Sequence, residues 1–305
     1  MFETQLRKIV QSGQLFTNIN DAIDNLTITN PGIDHIDSLN PNIDRAKLYA
    51  ENLIKKIKLN NENFSIKVLG IDQVNDILEL RSEMFGLINN EDIYRQEENE
   101  KEIIGYYCSS EGITIGIYHI ETLIAYGILA LPIKESAGNF ARLRKFRITD
   151  RFNCARLASC MVKANWQGHG LHHILLNLRL AIAKELNKSL VWAVLSLKNP
   201  VSRHNLFQSN FKLIWIGLIG GLWRQIMANV NLSTFHFDYR IPKNSGYNEN
   251  ANSTYIKQEN GDELNNALLV PVNLVDKQLQ LLHSEYIGCK QYYLNGVENI
   301  LFKPF

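Results

Sequence analysis

Apolar positions along this 305-residue chain follow two periods, near two and near 3.6, that alternate through its middle. Phe64-Ser65-Ile66-Lys67-Val68-Leu69 has the alternation of a half-buried strand. Asp72 is placed to cap a helix whose inner face carries Val74, Ile77, Leu78, Arg81 and Phe85. Segments 113–120 and 123–130 read as an antiparallel hairpin turning near Glu121-Thr122. Residues 157–162 form the next strand and run into a turn holding two glycines. A helix follows from residue 171 to about 186, with Ile174, Leu175, Leu178, Ile182 and Leu186 on one face. Segment 189–195 is a buried strand, Asn199-Pro200-Val201-Ser202 starts a helix, and Phe211 closes it. Segments 211–216 and 223–227 read as a terminal strand pair. This order predicts an α/β (α+β) fold, a mixed, mostly antiparallel sheet flanked by helices.

The flanks differ from this middle. Residues 1–62 carry helical fragments (Phe2, Leu6, Ile9, Val10; Ala22, Ile23, Leu26) broken at Asn30-Pro31-Gly32 and Asn40-Pro41. Asp44 is expected to cap a helix through Ala46, Leu48, Leu53 and Ile54 to Lys58. Residues 243–265 are rich in Asn, Ser, Gly, Asp and Glu, the composition of a loop or linker. Beyond them, 268–272 reads as a short strand, 275–282 as a helix, and the tail with Tyr292, Tyr293, Leu301 and Phe302 as apolar enough to dock. The expected organisation is a helical extension (1–62), a central domain (63–235), and a linker with a small mixed segment (236–305).

Composition narrows the function classes. An apolar fraction of 45% and a charged fraction of 21% are those of an ordinary globular protein, and a net charge of +1 gives no global argument for nucleic acid or an anionic membrane. The basic segment with Lys134, Arg142, Arg144, Lys145, Arg147 and Arg151 interleaves Phe140, Phe146 and Phe152; a solvated insertion is preferred there to an RNA contact. The acidic stretch 91–102, with Glu97, Glu98 and Glu100, reads as a solvated helix face. Cys108, Cys154, Cys160 and Cys289 lack Cys-x-x-Cys spacing, so buried free thiols are expected rather than disulfides, zinc ligands or a Cys/His nucleophile. His169, His172 and His173 have no carboxylate spaced to complete a metal site, and no metal is expected. With no run of spanning length and no signal-peptide core, a cytoplasmic location is the expectation.

Gly168 and Gly170 let the chain turn sharply before a helix whose first amides lack internal partners and sit at its positive end. That is an anion seat, most often for phosphate. No Gly-Lys-Ser/Thr follows it, and the three-glycine dinucleotide pattern is incomplete.

Gln167-Gly168-His169-Gly170-Leu171-His172, then Asn199, Ser202 and Phe211, then Gly220-Gly221-Leu222-Trp223-Arg224, together resemble the GNAT superfamily of acyl-CoA-dependent N-acyltransferases over residues 64–231. The resemblance implies that the backbone around Met161 and Val162 binds pantetheine and polarises the thioester. It implies that Gln167, Gly168, His169, Gly170, Leu171 and His172 hold the pyrophosphate, that Asn199 meets pantetheine, and that Ser202 meets the cofactor near its helix start. The co-substrate would be acetyl-CoA or another acyl-CoA, and the acceptor an amine on a small molecule, peptide or protein. In that fold the 91–102 region commonly walls the acceptor pocket, which would suit a cationic acceptor. Two departures stand out: His172 replaces a small residue, and Asn210 stands where Gly precedes the Phe. The proton-transfer groups depart too, because segment 153–162 has no carboxylate and Phe207 occupies the position of a Tyr. His119, Glu121 and Tyr126 are the candidate catalytic substitutes, or an acidic residue of 91–102 acting through water. The alternative function is a non-catalytic acyl-CoA-binding or partner-binding module of the same fold. An RNA-linked amine as acceptor is the third and weakest reading.

Overall fold

A computed structural model describes residues 43–57, 63–87, 93, 100–131, 154–219, 221–230 and 267–304. The helical fragments before residue 43, most of the acidic stretch, the basic segment and the Asn-rich linker lie outside the described residues. The described chain is a mixed α+β fold with a mostly antiparallel sheet and flanking helices, as its sequence pattern predicts. It divides into two compact units, the first ending at Val191 and the second running on from Trp192. No helix among the described residues is long and apolar enough to cross a membrane.

In the first unit the elements are α1 (Ile43–Lys56), β1 (Phe64–Leu69), α2 (Val74–Leu87), α3 (Glu100–Ser109), β2 (Gly112–His119), β3 (Thr122–Ala130), β4 (Cys154–Val162) and α4 (Leu171–Glu185). β1, β2, β3 and β4 form an antiparallel meander in chain order. Seven consecutive positions of β2 and eight of β3 are buried, so these strands are covered on both faces. Tyr126 and Gly127 are adjacent on β3 and therefore point to opposite faces. Arg81 of α2 meets the first, and Arg179 of α4 lies on the second. α3 packs beside α2, and α1 beside α4.

Two local expectations change. Asp72 does not cap α2: it lies inside a 3₁₀ turn, Ile71–Gln73, closed by the Gly70 amide donating to Gln73 Oε1 at 2.9 Å. Asp44 sits in the first turn of α1 rather than at its cap, and Leu48 is 56% exposed. The buried stripe of α1 is Ala46, Ala50 and Leu53, at spacings of four and three.

The second unit holds β5 (Leu190–Ser196, from Trp192 onward), α5 (Pro200–Gln208), β6 (Lys212–Ile219), β7 (Leu222–Val230), β8 (Leu268–Pro271), α6 (Val275–His283), β9 (Tyr286–Leu294) and β10 (Val297–Pro304). Its strand order is β5-β7-β6-β9-β10-β8. β6 and β7 form a hairpin, and Leu213 of β6 pairs with Gly288 of β9. The apolar tail is a second hairpin, β9–β10, turning at Asn295 (φ 51°) and Gly296 (φ 78°). A polar chain threads this unit. Arg203 Nη1 donates to Gln225 Oε1 at 2.7 Å, and Gln225 Nε2 donates to Gln278 Oε1 at 3.0 Å. Gln278 Nε2 then reaches the Val272 carbonyl at 2.7 Å.

Candidate functional site

β4 is irregular where it matters. Its register with β3 steps from Gly127↔Cys160 to Leu129↔Leu157, so Ala158 and Ser159 together oppose Ile128. A bulge of this kind leaves one residue's backbone out of the ladder. Beyond Val162 the Lys163 amide returns to the Ile124 carbonyl at 2.8 Å, and a 3₁₀ turn, Ala164–Trp166, redirects the chain. Gln167 Nε2 donates back across this turn to the Val162 carbonyl at 3.2 Å.

Gly168 (φ 79°) and Gly170 (φ 76°) are both left-handed, and a Cβ on either would meet nothing within 4 Å. Backbone angle, not crowding, is what calls for glycine there. Gly170 is the N-cap of α4 and offers no side chain to its first amides. Those amides therefore face outward at the positive end of a 15-residue helix. Met161 is buried, Val162, His169 and His172 are part-exposed, and Gln167 and Gly168 are exposed, with Leu171 anchoring the helix start in the core.

The three proton-transfer candidates end in different places. His119 lies 4.9 Å from the Trp166 ring and 5.0 Å from Phe64, within an aromatic cluster that His169 joins through Trp166 at 6.0 Å. Glu121 is exposed at the tip of the β2–β3 hairpin, next to Ile120 at φ 58°. Tyr126 alone pairs with β4, opposite Met161. Its hydroxyl accepts from Arg81 Nη1 at 2.9 Å, and the same nitrogen donates to Ser159 Oγ at 2.9 Å beside the bulge. Burial pushes the Tyr126 phenol up, opposed in part by the Arg81 charge. Arg81 is 2% exposed, and neither it nor Ser159 is among the residues singled out from sequence as functional. The available signal was a permanent charge inside the apolar stripe of α2, since arginine is rarely buried without a polar task.

On the other face of β4, Cys160 hydrogen-bonds His172 and Arg179 of α4. Sequence spacing argued against any Cys/His pair; the register of β4 against α4 makes one. His172, which departs from the small residue of the GNAT pattern, is the group that meets the thiol. Among the described residues no set of three His, Cys, Asp or Glu side chains could hold a metal ion.

In the second unit Asn199 caps α5, its Oδ1 accepting from the Ser202 amide at 3.0 Å with Pro200 at the first helical position. The side-chain nitrogen of Asn199 is thus the end left to address a ligand, and Ser202 is part-buried on the first turn. Asn210, the departure from Gly, takes φ 66° at the end of α5, with the Phe211 amide reaching back to the Leu206 carbonyl at 3.0 Å. Asparagine is the non-glycine residue that best tolerates this conformation. Phe207 is 8% exposed.

No protein-family profile matches the chain, and no curated relative matches it. Among solved structures it is similar to the PaiA N-acetyltransferase of Thermoplasma acidophilum in complex with coenzyme A, at 17% identity over 55% of this chain and 98% of that one, with a TM-score of 0.42. It is also similar to an N-acetyltransferase of Staphylococcus aureus (15% identity, 55% and 96% covered, TM-score 0.42). A GNAT-family acetyltransferase of Streptococcus pneumoniae is a third (10% identity, 54% and 98% covered, TM-score 0.41). At these values the likeness is one of chain path, and the chemistry has to come from the chain's own residues.

Proposed function

We propose that this chain transfers an acyl group, acetyl or another short one, from acyl-CoA to an amine. The observation that carries the reading is the end of β4. A bulge at Ala158-Ser159 frees backbone for an extended ligand, and the uncapped start of α4 past Gly168 and Gly170 offers an anion seat. A pantetheine arm lying along Met161 and Val162 would bring its pyrophosphate to the amides of 168–172. Asn199 and Ser202, at the start of α5, are the further cofactor residues that the resemblance implies.

Over the whole reaction the acyl carbon exchanges its bond to the CoA sulfur for one to the amine nitrogen, CoA leaves as thiolate, and the proton given up by the nitrogen passes to water. Tyr126 is the candidate acid that fits best. Burial keeps it protonated, Arg81 holds its oxygen, and it pairs with β4 beside the bulge. The acceptor class is an amine of a small molecule, peptide or protein. A second reading, a non-catalytic acyl-CoA binder, is favoured by Phe207, which has no proton to give and is buried.

Titration of CoA against the parent and Gly170→Glu tests the phosphate seat. At φ 76° the side chain is strained and its carboxylate enters the seat, so binding should fall at least tenfold. Unchanged affinity in a folded variant would refute the seat. Acyl transfer across a panel of amines separates the enzyme from the binder, which would bind acyl-CoA and acylate none of them.

A further inference from the structure

Cys160 has surroundings that a structural thiol does not need. It lies opposite Gly127, where a Cβ would fall 2.9 Å from Arg179 Cζ, so the guanidinium lies directly on β3. Arg179 is 1% exposed, and its Nε and Nη1 donate to the carbonyls of Leu175 (2.9 Å) and Ile128 (3.2 Å). Those carbonyls carry no formal charge, and a buried guanidinium calls for an anion. The group that meets it is the Cys160 sulfur, which is also hydrogen-bonded to His172 on the first turn of α4. A cation and an imidazole against one thiol are conditions that stabilise a thiolate.

We propose that Cys160 is a nucleophile that takes the acyl group from acyl-CoA and holds it as a thioester before an amine removes it. The inference rests on the acyl-CoA reading above. Cys160 lies one residue before the Met161-Val162 backbone assigned to pantetheine and one after the bulge. In the first step Cys160 Sγ bonds to the thioester carbon, the bond from that carbon to the CoA sulfur breaks, and CoA leaves as thiolate. A proton from Tyr126, the candidate acid above, or from water neutralises it. In the second step the amine nitrogen bonds to the same carbon, the bond to Cys160 breaks to restore its thiolate, and the proton released from the nitrogen passes to water. Both steps exchange one acyl bond for another and need no oxidant.

Burial works against ionisation of the thiol, but the charges and hydrogen bonds of His172 and Arg179 outweigh it and bring the group down to about 7. A thiol with a pKa near the ambient pH is the best attacker, because it combines thiolate fraction with nucleophilicity. Across the sheet, the phenol of Tyr126 on β3 also senses the sulfur's charge.

The test uses the full chain incubated with acetyl-CoA without amine, quenched in acid, digested, and analysed by mass spectrometry of the Cys160 peptide. The expected result is a single acetyl on Cys160 that neutral hydroxylamine removes and that forms faster as pH rises from about 6 to about 8. Cys160→Ala and Cys160→Ser should lack it while still binding CoA, and His172→Ala should acquire it roughly tenfold more slowly. A parent that binds CoA and acylates amines, yet never carries acetyl on Cys160, overturns the inference and leaves the acyltransferase reading standing. A parent that does not bind CoA overturns both.

Discussion

The ionisation of Cys160 has a consequence for stability that can be measured without any substrate. Its folded pKa, about 7, lies below the ordinary thiol value of 9.0. A depressed acid contributes stability above its unfolded pKa and loses it as pH falls through the folded one. The contribution should therefore be complete above about pH 9, decline between about 9 and 7, and vanish below, with a size on the order of 1–2 kcal/mol. Urea unfolding of the parent beside Cys160→Ala should show the gap widening from pH 6 to pH 9. A gap independent of pH would mean that the sulfur stays a thiol. Nothing in the spacing of Cys160 and His172 could have announced the pair. Two residues twelve apart meet because α4 folds back on the face of β4 that Cys160 occupies. Asn210 was the opposite case: a residue out of pattern whose own chemistry shows how it fills a glycine's place.

At the scale of elements, the apolar pattern was a good guide, as a stripe where one face is buried and as a continuous run where both are. The hairpin of β2 and β3, the helix α4 and the strand pair β6–β7 all follow from it. It was less exact for α1, where Ala46 and Leu53 of the expected set are buried but Leu48 is exposed and Ala50 is buried, because a small residue carries little hydrophobic signal. It also passed over the β9–β10 hairpin. The signal was present, since Asn295-Gly296 is the dipeptide that favours a turn with two positive φ values. The tail's buried residues are spread among exposed tyrosines, and alternation was therefore hard to see.

α5 offers a separable test. Asn199→Ala removes the cap and should destabilise the chain by about 1 kcal/mol. Asn199→Asp keeps an oxygen acceptor for the Ser202 amide and removes the side-chain donors. If those donors meet pantetheine, Asn199→Asp will retain its thermal midpoint and lose affinity for CoA. Equal affinity would confine Asn199 to capping.

At the scale of the whole molecule, the second unit is tied together through charge as well as packing. Arg203 is fully buried, and its Nε lies 2.8 Å and its Nη2 2.7 Å from Glu298 Oε1 of β10. Removing one partner of such a pair strands the other, at a cost of about 3 kcal/mol or more. Glu298→Ala should lower the unfolding midpoint accordingly, and Glu298→Gln, which keeps an acceptor, should lower it less. Equal, negligible losses in both would show that solvent replaces the carboxylate.

This pairing also orders events during synthesis. Glu298 follows Arg203 by 95 residues. At a translation rate of about 5–20 residues per second, the interval is on the order of 5–20 seconds. During it the nascent α5 carries a guanidinium whose carboxylate has not been made, so burying that helix early would be unfavourable. Arg203 of α5 gains its counter-charge only when the β9–β10 hairpin is free of the ribosome.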